Sequence, residues 1–144
     1  MSNKSKLLLL SQFLCFAFLL LYQDWPGSGI YLAVQTIGIV LCLWSIFAMG
    51  LGNFNAQPEV KPRAVLIRKG PYSILRNPMY AGLLIFFGAG LLDDFNWPGL
   101  LVFLALGITF GMKIRDEERF LTRRFGEDYL SYKSKTFRMI PYVF

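Results

Sequence analysis

The stretch MYAGLLIFFGAGLLDDFNWPGLLVFLALGITFGM, residues 79–112, decides the class of fold. It holds two apolar runs, Met79–Leu92 and Trp97–Met112, and neither contains a charged residue. Between them Asp93, Asp94 and Asn96, followed by Pro98, supply the turn chemistry that closes two antiparallel helices into a hairpin. Directly after Met112 the chain turns basic, beginning with Lys113. An uncharged hairpin ended by a cation reads as a pair of membrane helices.

Upstream the pattern recurs. Leu7–Tyr22 and Ile30–Leu51 are also uncharged, and Pro26 and Gly27 mark the turn between them. Crossing a hydrocarbon core of about 30 Å takes about 20 residues. Ile30–Leu51 is long enough, Leu7–Tyr22 and Trp97–Met112 are marginal, and Met79–Leu92 is short. Either the third helix begins earlier, near Ser73, or the last two form a tight hairpin in a thinned membrane. Trp25 and Trp97 lie beside the acidic turns, where interfacial anchors belong.

The composition agrees. Of 144 residues, 55% are apolar and only 17% are charged, with a mean hydropathy of +0.46; an ordinary soluble domain carries about 25% charged residues. Disorder is excluded, and a soluble domain this small could not hide so much apolar surface. The basic residues fix an orientation. All 15 lie outside the apolar runs: Lys4 and Lys6 at the start, five from Lys61 to Arg76, and eight from Lys113 to Arg138. The other two connections carry only Asp24, Asp93 and Asp94. The positive-inside rule therefore predicts four crossings with both termini in the cytoplasm, in the plasma membrane if the source is prokaryotic. The first run has the basic lead-in of a signal peptide, but Tyr22-Gln23-Asp24-Trp25 offers no small-residue cleavage site, so it reads as a retained helix. Cys15 and Cys42 lie inside apolar runs and read as packing residues. The absence of histidine argues against a zinc or haem centre and against a histidine base. No metal and no nucleic-acid partner are expected.

Two polar segments remain. Asn53 to Tyr80, NFNAQPEVKPRAVLIRKGPYSILRNPMY, is too long for an ordinary helix connection. Its prolines at 58, 62, 71 and 78 prevent continuous helix, and Ala64–Ile67 is a short apolar run suited to an extended stretch. Pro78 fits the first position of the third helix, with Asn77 as cap, which would direct free backbone N–H groups at a ligand. A membrane-surface loop whose prolines only end helices explains the same residues equally well. Lys113 to Phe144 places Ile114, Phe120, Leu121, Phe125, Tyr129 and Tyr132 at helical spacing, with a break near Gly126. That is an amphipathic helix leaving the fourth crossing, able to meet anionic lipid heads through Arg119, Arg123 and Arg124. Asp116-Glu117-Glu118 is its odd feature: three carboxylates near a helix's negative end are unfavourable unless they accept hydrogen bonds from a ligand or serve as local partners for neighbouring cations.

GPYSILRNPMYAG, followed about 35 residues later by EERFLTRRFGEDYLSYK, resembles the isoprenylcysteine carboxyl methyltransferase and phospholipid methyltransferase family of membrane enzymes. The resemblance covers residues 53–141, a cofactor-binding core behind an N-terminal hairpin at 7–51, and treats the chain as one domain. It implies an all-α membrane protein of four transmembrane helices, whose cytoplasmic loop and C-terminal helix form a pocket for S-adenosylmethionine. By position, Gln57, Ala64, Val65, Leu66, Ile67, Tyr72, Arg76, Asn77, Pro78, Met79 and Tyr80 would line that pocket and Glu117 would accept from the cofactor. The family's substrate-contacting arginine falls on Lys113, with Arg115 two residues on, and its turn histidine falls on Asn77. A lysine neutralises a carboxylate but lacks the bidentate fork.

The implied acceptor is a lipophilic small molecule, a prenylated substrate or a membrane lipid. A carboxylate arrives as a nucleophile and requires no base, whereas a protonated amine such as phosphatidylethanolamine must first lose a proton, for which Glu118 or Tyr80 would have to serve. Lys113 and Arg115 favour the acidic acceptor. Two other classes fit parts of the chain. TFRMIPYVF and the R-x-P-x-Y turn also resemble the C-terminal part of NADPH-binding sterol reductases, and the Asn77 and Lys113 departures fit a non-catalytic scaffold.

Overall fold

The computed structural model describes residues 3–50 and 65–141. Its elements are α1 (Asn3–Tyr22), α2 (Gly29–Met49), α3 (Pro78–Asp93), α4 (Trp97–Phe125) and α5 (Glu127–Ser134), with a 3-10 turn at Gly70–Ser73 ahead of α3. Helices α1, α2 and α4 are long and apolar enough to cross a membrane. Helix α3 begins at Pro78, not near Ser73, because the separate Gly70–Ser73 turn precedes it. Its 16 residues rise only about 24 Å. The apolar part of α4 ends at Met112, and the helix continues through its polar third to Phe125 without a break.

The helices pack chiefly in two pairs, α2 along α3 and α1 along α4. Glycine permits the first. A Cβ on Gly38 would lie 2.7 Å from the Gly82 carbonyl, and one on Gly82 would lie 2.7 Å from both the Gly38 carbonyl and Cys42 Sγ. Backbones this close are how apolar helices gain contact in lipid, where burial from water offers nothing. The α1–α4 pair is joined by polar contacts: Lys4 Nζ to Asp116 at 2.6 Å, Ser11 Oγ to Thr109 Oγ1 at 3.0 Å, and the Lys113 ammonium to Gln12 Oε1. Cys15, Leu19, Tyr80, Phe87, Leu106, Phe110 and Ile114 form the apolar core where α1, α3 and α4 meet.

At the acidic-turn end, Asp93 accepts from the Ser28 backbone N–H and hydroxyl, both at 2.7 Å, tying the turn between α1 and α2 to the turn between α3 and α4. The two tryptophans differ. Trp97 is exposed, as an interfacial anchor should be, but Trp25 turns inward and stacks on Phe86 at 4.8 Å. It fills the space that Gly90 leaves open, where a Cβ would meet its ring at 2.5 Å.

At the basic end the chain after α5 returns to the start of α3. Leu75 and Phe137 form a parallel bridge; Arg76 N–H donates to the Phe137 carbonyl at 2.7 Å, and Phe137 N–H donates to Ile74 at 2.9 Å. Asn77 caps α3 by position, yet its side-chain Nδ2 donates to the Arg138 carbonyl at 3.1 Å and makes no cap bond. Glu118 clamps the junction. Its carboxylate meets Arg76 at 3.1 Å and both Lys133 and Arg138 at 3.0 Å, while Arg76 also donates to the Lys133 and Thr136 carbonyls. Burial alone would raise the Glu118 pKa, but hydrogen bonds from Arg138 and Lys133 hold it well below the usual carboxylate range.

Two outcomes follow. Gly38→Val should force α2 from α3 and cost about 1–3 kcal/mol by overpacking, read as a lower unfolding midpoint in detergent, whereas Gly107→Ala, whose Cβ meets nothing within 4 Å, should leave it unchanged or raised. Glu118→Ala strands three cations and should cost about 3 kcal/mol, with faster amide exchange at Arg76, Asn77 and Phe137 before any effect on the α2–α3 contact.

Candidate functional site

Successive residues of an α-helix project about 100° apart, so Asp116, Glu117 and Glu118 cannot share one neighbour. Asp116 faces Lys4 on α1 and Glu118 faces the returning chain. Glu117 points between them to α3, where the Tyr80 hydroxyl donates to its Oε1 at 2.5 Å. Lys113, one turn earlier on the same face, is only 1% exposed. Its ammonium donates to Gln12 and stands 5.6 Å from the centroid of the Tyr80 ring, a cation–π geometry. Tyr80 is held by Phe110, whose ring lies 4.7 Å away, and by its place in the first turn of α3 after the fully buried Pro78.

Tyr72 closes the cluster from the 3-10 turn. The turn is fixed by Pro71 and by Tyr132 on α5, whose hydroxyl donates to the Tyr72 carbonyl at 2.7 Å. Burial pushes the Tyr72 phenol well up, and the nearby Glu117 carboxylate adds to it, so this hydroxyl stays protonated as a donor. Glu117, five residues beyond the apolar part of α4, is raised too. Burial is the main cause, and the Tyr80 hydrogen bond and the Lys113 charge offset it only in part. The result is a small cluster of one half-buried carboxylate, one buried ammonium and two buried phenols, able to accept from an amine or hydroxyl and to meet an anion.

The structure brings together Tyr72, Tyr80, Lys113 and Glu117 around the turn built by Asn77 and Pro78. It separates Arg115 from them. Two residues past Lys113, Arg115 falls on the opposite side of α4, where it lines a recess of about 370 Å³ with Glu118, Arg119, Thr122, Arg123 and Lys133. The Arg76 guanidinium is committed to Glu118 and to carbonyls of the returning chain. Val65 is exposed and Leu66 and Ile67 are half-buried in irregular chain ahead of the 3-10 turn. Met79 presents its carbonyl to the Cys42 thiol at 3.5 Å. Gln57 and Ala64 lie outside the described residues. Glu118, beneath three cations, stays ionised and is a poor proton acceptor, which follows from the same pairing that makes it a fastener. Sequence reasoning did not find Gln12, Lys133 or Arg138. Gln12 had a signal, as a lone amide within an apolar run, since polar groups at membrane depth face the interior of a bundle.

Comparison with known proteins gives the family of the chain. Residues 28–128 match the phospholipid methyltransferase family. Over 120 residues the chain is 33% identical to the protein-S-isoprenylcysteine O-methyltransferase of Xenopus laevis, covering 81% of this chain and 41% of that protein. It superposes on a solved structure of the eukaryotic intramembrane Ras methyltransferase ICMT (isoprenylcysteine carboxyl methyltransferase) with a TM-score of 0.66 and 29% identity, covering 79% of this chain and 42% of the other. The chain therefore spans less than half the length of these relatives. With the Tyr72, Tyr80 and Glu117 cluster inside the matched residues, the chain belongs to the phospholipid methyltransferase family.

Proposed function

We propose that the chain is an integral membrane methyltransferase that uses S-adenosylmethionine and methylates the carboxylate of a lipophilic, isoprenylcysteine-type acceptor. The observation that carries this reading is the buried Lys113 ammonium beside the Tyr80–Glu117 pair, in a chain of this family. The residues present suit the cofactor: Glu117 accepts from an amine or hydroxyl, and Tyr72 and Tyr80 offer aromatic faces and donors. Asn77, Pro78 and Met79 shape the turn that would hold it, with Val65–Ile67 alongside. Bound there, the cofactor supplies a methyl group on a sulfonium, which a carboxylate accepts without prior deprotonation. Catalysis then rests on positioning and on keeping water out, and Lys113 supplies the charge that draws an anionic acceptor in. The four-crossing topology with cytoplasmic termini belongs to the same reading, with the short α3 seated in a locally thinned bilayer.

Phospholipid N-methylation is the second reading, favoured by the family match and by Glu117 itself. A protonated amine must lose a proton, and a carboxyl raised by burial is the group to take it. Against it, the Lys113 ammonium would repel a cationic headgroup.

In detergent, S-adenosylmethionine and S-adenosylhomocysteine at about 100 times their dissociation constants should each stabilise the protein by about 2.7 kcal/mol, seen as a raised unfolding midpoint, while NADPH should give none. A shift with NADPH alone would replace this reading with a reductase, and no shift with any of the three would leave a scaffold. Tyr80→Phe and Glu117→Gln should each weaken the S-adenosylmethionine shift while keeping the helical circular dichroism; wild-type shifts in both would show the site to be elsewhere. Radiolabelled methyl transfer to N-acetyl-S-farnesylcysteine, and none to phosphatidylethanolamine, is the outcome expected of the first reading; the reverse pattern establishes the second.

A further inference from the structure

We infer that the recess between α4 and α5 is a binding site for the phosphate of an anionic lipid headgroup, whose acyl chains lie along the lipid-facing side of α4. Arg115, Arg119 and Arg123 follow one another at four-residue intervals, so they fall within a sector of about 80° on one side of the helix. Lys133 of α5 completes the basic lining of the recess. Like charges four residues apart repel and weaken a helix unless an anion lies among them. The acids nearby do not supply it. Glu118, which also lines the recess, divides its carboxylate among Arg76, Lys133 and Arg138. Asp116 is bonded to Lys4 at 2.6 Å and reaches Arg119 only at 4.0 Å. Glu127, four residues after Arg123, lies beyond the Gly126 break, and among the described residues no ion pair joins the two. The recess therefore carries net positive charge, and its guanidinium groups are forks that match phosphate oxygens.

Depth and the course of the helix make the phosphate a lipid's and not a soluble one. The apolar part of α4 ends at Met112, and Arg115 and Arg119 lie about 4.5 and 10.5 Å beyond it along the axis. A bilayer's headgroup layer is about 5–8 Å deep on each side of the hydrocarbon, so Arg115 stands inside it and Arg119 just past its outer edge. In the other direction the same sector of about 80° holds Leu101, Ile108 and Met112, all three exposed. An apolar strip open to lipid thus runs directly into the arginines, and one molecule with acyl chains and a phosphate would cover both. The Tyr80–Glu117 cluster lies on the other side of α4, so the inference does not rest on the methyltransferase reading.

The test uses the full chain in a neutral detergent, with lipid titrated in and the unfolding midpoint read. Dioleoylphosphatidylglycerol should raise the midpoint, and dioleoylphosphatidylcholine, with the same tails and no net charge, should not. Arg119→Gln and Arg123→Gln, both at exposed positions, should keep the helical circular dichroism. Each should raise the apparent dissociation constant for phosphatidylglycerol about 10-fold, the worth of one hydrogen bond between charged groups. Lys135→Gln removes the same charge outside the recess and should change that constant by less than about twofold, since an exposed charge is screened by salt. Equal losses in all three variants would reduce the effect to a diffuse attraction between a basic surface and an anionic lipid, and would overturn the inference. A shift of the same size from phosphatidylcholine overturns it by leaving the tails as the whole cause, and one from glycerol 3-phosphate by making the site one for soluble phosphate. No shift with phosphatidylglycerol overturns it outright, and a shift with oligoglutamate in its place would assign the recess to an acidic protein segment. None of these readouts involves S-adenosylmethionine, so each of these failures leaves the methyltransferase reading standing.

Discussion

Three carboxylates in a row on one helix must point three ways, and most of the basic end of this protein follows from that constraint. The 100° step of an α-helix sends Asp116 to α1, Glu117 to the first turn of α3, and Glu118 to the chain returning after α5. Each direction meets a different neighbour, so one turn of α4 locates three other parts of the molecule. The dipole objection to acidic residues near a helix C-terminus does not arise. Helix α4 runs on to Phe125, and its last turn carries Arg123 and Arg124, the charges that a negative helix end favours.

Apolar spacing and punctuation made much of the fold legible. The four apolar helices, the start of α3 at Pro78 and the break at Gly126 were readable from uncharged runs, prolines and one glycine, whose φ of 53° suits a residue without a Cβ, but their pairing was not: the spacing suggested α1 against α2, and the structure packs α2 on α3 and α1 on α4. The site was legible unevenly. Tyr80 and Glu117 came from a resemblance in motif, since nothing in periodicity relates two residues 37 apart. Lys113 and Arg115 were read as a pair because they are close in sequence, yet two residues along a helix is about 200° around it, and the structure sends one inward and the other to the surface recess. Trp25 failed as an anchor for a similar reason. Its neighbours in sequence are interfacial, but the absence of a side chain at Gly90, far along the chain, makes a place for its ring.

Lipid changes which contacts can hold such a fold. Where the surroundings are as apolar as the side chains, burial from water gives little, and helices are held by close backbones and by polar bonds that have no alternative partner. The two pairs here use one device each. Helices α2 and α3 meet through Gly38 and Gly82, and α1 and α4 through Lys4–Asp116, Gln12–Lys113 and Ser11–Thr109. One rung of the polar device is the lysine of the candidate site, so the same contact that joins α1 to α4 also reaches the Tyr80–Glu117 cluster.

The two glutamates of the Glu117-Glu118 pair show how one sequence feature is divided between two electrostatic environments. Glu118 sits under Arg76, Lys133 and Arg138, more positive charge than it can neutralise, and its proton is held off well below the usual range. Such a carboxylate is a permanent anion, suited to fastening and poorly suited to exchange protons or partners. Glu117 has one phenol and a lysine whose ammonium is shared with Gln12, and burial raises its carboxyl. A carboxylate with too little compensation gains the most from a new donor, because an incoming amine or hydroxyl supplies what the fold withholds. Adjacent residues of the same type thus have their pKa values moved in opposite directions by the number of cations that surround them. Helical geometry makes the division possible, since it places them in separate environments about 100° apart.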